Sequence, residues 1–152
     1  MTLAVIDTNI FINALFGRGF FRFDEKILDL EEQGIIKFGF SRHTLNELYK
    51  ILARKIEENN IFECSEFYQL LHEIITRSKY IEAAPKIKDK LSSDPGDQYF
   101  IELAVTLRAD YLVTNDKTNG LLKLGTYQEV MILTPEKLVK RIQSQTRKQT
   151  KI

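Results

Sequence analysis

Asp7, Glu47, Asp97 and Asp116 are the residues of this sequence whose types and setting could do chemistry. They come from four separated segments, each close to a polar or hydroxyl-bearing neighbour. Carboxylates brought together repel, and some keep their protons unless a cation neutralises them. An all-oxygen pocket with no paired His or Cys suits a hard divalent ion, Mg²⁺ or Mn²⁺, better than zinc. Such an ion polarises a phosphoryl oxygen and lowers the pKa of bound water, which allows in-line attack on a phosphodiester. The only two histidines, His43 and His72, have no ligand spacing with a partner. His43 lies one helical turn before Glu47 and reads as a partly exposed structural residue that could face the same site.

Whether the four acids meet depends on the elements that carry them. Residues 94–116 (DPGDQYFIELAVTLRADYLVTND) are the organising stretch. Asp94-Pro95 supplies an N-cap and a proline at the first helical position. Phe100, Ile101, Ala104, Val105 and Leu107 follow at helical spacing. Residues 110–114 then fit a short strand. A helix packed on a parallel sheet runs back along the strands, so its N-terminus shares an edge with the next strand's C-terminus. That places Asp97 and Asp116 on one edge.

The same logic extends to the rest of the chain. Leu3 to Ile6 is a continuous apolar run, expected as a central parallel strand buried on both faces, with Asp7 directly after it. Residues 10–16 read as a short helix, 24–33 as an amphipathic helix stopped by Gly34, and 35–40 as the second strand. Ser41 caps a long helix over 42–58, which carries Glu47 in its second turn. At ~1.5 Å per residue, Glu47 falls within about 10 Å of the same edge. A helix over 65–78, a short strand at 80–83, a strand at 130–133 and a terminal helix opened by Thr134-Pro135 complete the chain. Strands alternating with helices predict an α/β domain with a parallel sheet, which places ligands at the strands' carboxyl ends.

Taken singly, each acid has an ordinary role. Asp7 could cap a helix, Asp94 and Asp97 resemble a capping box, Glu47 could be an exposed helical residue and Asp116 a turn residue. Independent caps and turns, however, need not fall on one rim.

Phe20, Phe21 and Phe23 alternate with Arg18 and Arg22. The pattern could stack bases and hold phosphates, but the favoured reading is a loop whose phenylalanines plug into the core. From Lys137 onward there are six Lys or Arg and no acid, expected as a solvated helix face running into a basic, disordered tail over 146–152.

The 152 residues are enough for one domain, expected over 1–145, with a hydrophobic fraction of 43% and a charged fraction of 28% that are ordinary for globular proteins. A net charge of +1 points to no partner. The single cysteine, Cys64, allows no internal disulfide and fits a reducing cytosol. With no signal peptide or membrane-length apolar run recognisable, a cytoplasmic location is expected.

At the acidic segments the chain resembles the PIN-domain nucleases. Val5-Ile-Asp-Thr-Asn-Ile10 is similar to their opening signature, and residues 41–52 (SRHTLNELYKIL) to their second acidic motif. Residues 94–104 and 109–116 resemble the third and fourth. The nearest subgroup is that of VapC-like toxin components of toxin–antitoxin systems, and the resemblance spans about residues 3 to 133. It implies a three-layer α/β/α fold with a central sheet of about five parallel strands in order 3-2-1-4-5. It also implies Mg²⁺- or Mn²⁺-dependent endoribonuclease activity leaving 5′-phosphate and 3′-hydroxyl ends. Asp7 and Asp97 would be direct metal ligands, and Asp116 a ligand or a contact through water. Glu47 would be a ligand or would position the attacking water. Thr8, Asn9, Thr114 and Asn115 would orient ligands or water, and Arg18, Arg22, Arg42 and His43 are candidate RNA contacts. A homodimer and an inhibiting antitoxin partner are further expectations of the resemblance. Two departures stand out: Lys117-Thr118-Asn119 supplies no further acid, and the stretch 17–23 is long.

The rival readings are a non-catalytic PIN-like scaffold that binds RNA or protein, and another Asp-centred α/β domain. A dehalogenase-type phosphatase needs Asp where Asn9 stands. A phospho-receiver needs Asp at the end of the third strand, where the chain reads Glu82-Ala-Ala-Pro85.

Overall fold

The computed structural model describes residues 1–118 and 120–150. Its strands are β1 (Thr2–Ile6), β2 (Ile36–Ser41), β3 (Lys79–Ile81), β4 (Tyr111–Val113), β5 (Thr126–Tyr127) and β6 (Val130–Leu133). They form one sheet in the order β3-β2-β1-β4-β6-β5. All neighbouring pairs are parallel except β5 with β6. The expected order 3-2-1-4-5 therefore holds, with β6 as the expected fifth strand and the short antiparallel β5 added at its edge.

The helices among the described residues are α1 (Thr8–Phe16), α2 (Arg22–Glu32), α3 (Arg42–Glu58), α4 (Ser65–Arg77), α5 (Pro95–Thr106), α6 (Leu121–Leu124) and α7 (Pro135–Thr150). Alternation along the strands divides the apolar interior in two. Ala4, Ile6, Phe38, Tyr111 and Val113 face one layer, with Leu48, Leu52, Ile74 and Leu138 from the covering helices. Leu3, Val5, Leu112 and Ile132 face the other, covered by Phe100, Ile101, Leu103 and Ala104 of α5. The first strand is thus buried on both sides, as a continuous apolar run in a parallel sheet should be.

Three local devices fix the helices around the sheet. Gly39 of β2 lies under the C-terminal end of α5: a Cβ there would stand 2.5 Å from Leu107 Cδ1 and 3.5 Å from Val5 Cγ2. The helix therefore rests against bare strand backbone. On the opposite layer, Arg77 at the end of α4 grips Glu31 of α2, with Nη2 to Oε1 at 2.6 Å and Nε to Oε2 at 3.0 Å. Ser41 caps α3 through a reciprocal pair with Thr44, whose amide donates to Ser41 Oγ at 3.2 Å while Thr44 Oγ1 accepts from the Ser41 amide at 3.0 Å.

One expectation needs correction. Residues 146–150, expected in a disordered tail, continue α7 as helix; residues 151 and 152 lie outside the described residues. Among the described residues no helix is long and apolar enough to cross a membrane.

Candidate active site

The sheet's hydrogen-bond ladder runs one step past the strands and carries the site with it. The Asp7 amide donates to Val113 O at 2.9 Å, and the Thr114 amide donates to Leu133 O at 3.0 Å. Asp7 and Thr114 are therefore fixed side by side at the carboxyl edge. Thr114 Oγ1 donates to Asp7 Oδ2 at 3.0 Å and accepts from the Asp116 amide at 3.1 Å, so one hydroxyl ties the ends of β1 and β4 together. Asp7 also caps α1, its carboxylate accepting from the Asn9 amide at 3.4 Å.

The N-terminus of α5 meets this edge from the other layer. Asp94 caps the helix by accepting from the Gly96 amide at 2.8 Å. Asp97 makes no reciprocal bond to the Asp94 amide. That amide donates to Ser92 Oγ at 3.1 Å, and the Ser92 hydroxyl donates to Asp97 Oδ2 at 3.1 Å. Ser92 thus takes the place of a capping box and leaves the Asp97 carboxylate aimed at the sheet edge. Asp116 in turn accepts from the Thr118 amide and hydroxyl at 2.9 and 2.8 Å.

These contacts converge. Asp94, Asp97 and Asp116 each bring a carboxylate oxygen within 4.8 Å of the others. Burial drives the Asp97 carboxyl up to about 7; the Ser92 bond opposes this, and the charges of Asp7, Asp116 and Asp94 add to it. Asp7 is also raised, first by burial, against the bonds from Thr114 and Asn9, with Asp116 and Asp94 adding. Glu47 is raised by burial, with His43 opposing; Asp7 and Asp94 raise it further, and a hydrogen bond with Thr8 lowers it. Burial and the charges of Asp7, Asp116 and Asp94 thus favour the protonated form of Asp97. The donor set is all oxygen and all acidic, which fits a hard divalent cation.

A family model described as PIN domain matches residues 3–118. The chain belongs to the PIN-domain family. Two solved structures share its fold. VapBC2 from Rickettsia felis, bound to a DNA fragment from its promoter, superposes with a TM-score of 0.55 at 15% identity, covering 88% of this chain and 98% of that one. PAE2754 from Pyrobaculum aerophilum superposes with a TM-score of 0.58 at 14% identity, covering 95% of this chain and 90% of that one. No curated protein matches. PIN domains are generally nucleases.

Within this PIN domain the four acids read from the sequence share one rim. Asp97 and Asp116 belong to the tight group, Asp7 lies beside it, and Glu47 reaches it across Thr8. Thr8 and Thr114 are buried there. Asn9 contributes its backbone amide, and its side chain is exposed. Asn115 turns the other way: its amide donates to Asp24 Oδ2 at 3.1 Å, beside a second bond to that oxygen from Asn13 at 2.9 Å. His43 stacks on Tyr99 of α5 with ring centroids 3.8 Å apart, and Arg42 pairs with Glu82 at 3.1 Å. Sequence reasoning missed Asp94 and Ser92 as members of the site. Asp94 was legible only as a cap, and its spacing of three from Asp97 places both on one face of the first turn.

Proposed function

We propose that this PIN domain is an Mg²⁺- or Mn²⁺-dependent endoribonuclease that hydrolyses RNA phosphodiester bonds, acting as the toxin of a toxin–antitoxin pair in the cytoplasm. The observation that carries this reading is the gathering of acids around the buried Asp97, whose carboxyl is driven to about 7 by burial, with the charges of Asp7, Asp116 and Asp94 adding to it. Asp97, Asp116 and Asp94 offer the nearest oxygens to an ion, and Asp7 stands beside them. When bound, a divalent ion polarises a phosphoryl oxygen and acidifies a water molecule.

The protein's own groups do the rest. Thr114 holds Asp7, Ser92 holds Asp97 and Thr118 holds Asp116, so the carboxylates are oriented before substrate arrives. Glu47, raised by burial and by its acidic neighbours, would be a ligand or would position the attacking water. His43 and Arg18 remain candidate RNA contacts on the exposed surface. The antitoxin partner rests on the fold shared with VapBC2, and the homodimer on the family resemblance.

The test is cleavage of tRNA by the purified chain in Mn²⁺, with and without chelator, beside Asp97→Asn. Chelation abolishes cutting, and the variant loses at least about a hundredfold in rate while keeping its fold. A variant that cuts at the wild-type rate refutes the site. Calorimetry that finds no carboxylate-dependent Mn²⁺ binding makes the chain a scaffold instead.

A further inference from the structure

A cleft of about 940 Å³ opens between the start of α2 and the start of α7. Three features set it apart. The first is its wall of aromatics. α1 ends at Gly17, where no side chain fits because Asn13 O and the Phe21 ring occupy the space. Arg18 and Gly19 then turn through left-handed backbone at φ 49° and 85°. The turn brings out Phe20, 88% exposed, and Phe21, 42% exposed. The expectation that these rings plug into the core therefore fails for both.

The second feature is charge. Five basic residues, Arg22, Lys117, Lys123, Lys137 and Lys140, line the cleft against two acids, Asp24 and Glu136. Lys140 already pairs with Glu136 at 2.8 Å, and the amides of Asn13 and Asn115 occupy Asp24. Lys117, Lys123 and Lys137 make no salt bridge among the described residues. In a chain of net charge +1 this is a local concentration, not the background. The third feature is position. Asn115 and Lys117 line the cleft and flank Asp116 in the chain, so the basic cleft continues directly from the acidic rim.

We propose that this cleft holds the stretch of single-stranded RNA adjoining the scissile phosphate. Its phosphates lie against Lys117, Lys123 and Lys137, and one base stacks on Phe20. The assignment rests on the nuclease reading of the acidic rim. Unpaired cations beside an exposed aromatic face are what a flexible polynucleotide strand requires, and neither depends on base identity. An acidic peptide would satisfy the lysines but gives no reason for the cleft to begin at Asp116.

The experiment measures binding with chemistry switched off. Fluorescence anisotropy of a labelled twelve-nucleotide oligouridylate is recorded with the full chain in excess EDTA across a KCl series. Lys123→Ala/Lys137→Ala is expected to weaken binding by about tenfold and to flatten the salt dependence by about 1.4 in slope, two phosphate contacts' worth. Phe20→Ala is expected to weaken it about fivefold or more with less change in slope. The control, Lys50→Ala/Lys79→Ala, removes equal charge from exposed positions outside the cleft.

Equal losses in the control and cleft variants would show diffuse attraction and overturn the assignment, as would wild-type affinity in both cleft variants. Displacement of the RNA by polyglutamate at lower concentration than by unlabelled oligouridylate would also overturn it, in favour of an acidic protein partner. Because binding is read without metal, a chain that cuts nothing in Mn²⁺ yet shows these contrasts loses the nuclease reading and keeps the cleft. A chain that cuts RNA without the contrasts does the reverse.

Discussion

Glu31 and Asp97 are both almost wholly buried, 2% and 7% exposed, yet the protein treats the two carboxylates in opposite ways. Glu31 lies between α2 and α4 and receives a two-pronged guanidinium from Arg77. Its charge is matched by a group that the chain supplies, in the geometry that best joins Arg to a carboxylate. Asp97 has one hydroxyl, from Ser92, and is otherwise surrounded by Asp7, Asp116 and Asp94. A buried acid with its own counterion holds the fold together. One that is packed among other acids strains the fold until something from outside arrives. Burial alone does not separate the two kinds; what lies within hydrogen-bond reach does.

That contrast can be broken at either end. The largest effect on stability is expected at the paired acid. Arg77→Ala leaves Glu31 buried without a partner and should cost about 3 kcal/mol, read by urea unfolding, while the surviving folded protein cleaves RNA at the wild-type rate per molecule. A loss of activity without a loss of stability would mean that Glu31 belongs to the functional set.

The unpaired acid should respond in the reverse sense. Because the folded state holds the Asp97 proton up to about pH 7, against 3.8 for the unrestrained group, it binds more protons than the unfolded state between those values. The metal-free protein therefore loses stability as pH rises from 4 to 7, and the penalty is complete above 7. Asp97→Asn removes the titrating group. In EDTA at pH 8 it should be more stable than wild type by about 2 kcal/mol, the neighbouring acids relaxing to absorb the remainder of the shift. Near pH 4 the two proteins should melt together. Mn²⁺ should raise the melting temperature of the wild type and leave the variant nearly where it was. Equal melting at pH 8 would place the Asp97 charge in a better-matched setting than its neighbours indicate.

The smallest change sharpens the comparison. Thr114→Val deletes the hydroxyl that joins Asp7 to the Asp116 amide. It should slow cleavage about tenfold with little effect on folding, and Thr114→Ser should restore the rate. A valine variant of normal activity would show that Asp7 is held well enough by its cap on α1.

Much of this arrangement was legible in the sequence because winding rules act on whole elements. A continuous apolar run at Leu3 to Ile6, followed by Asp7, left few places for that acid other than the carboxyl edge of a central strand. The return of α5 against the sheet brought Asp97 to Asp116 as the handedness of the crossover requires. What escaped were features that no periodicity marks. Asp94 was hidden by its second occupation as a helix cap, and Ser92 by its place in a polar connector. The hairpin of β5 and β6 turns on Gln128 and Glu129, both at positive φ, 43° and 70°. Tight hairpins of this kind usually announce themselves with Asn-Gly, and this pair of residues does not. The exposed rings of Phe20 and Phe21 defeat any rule that sends aromatics inward, which is how binding surfaces tend to defeat it.

Gly39 has a reach longer than its size. The helix it admits to the sheet is a rod of roughly 18 Å, with its foot braced at Leu107 and two of the clustered carboxylates at its far tip. A single methyl group at the foot would have to displace the Leu107 side chain, and whatever part of that shift passed into the helix would move the acids at its tip. The alignment of the acidic edge is thus tied to packing within the hydrophobic layer, at a residue with no side chain.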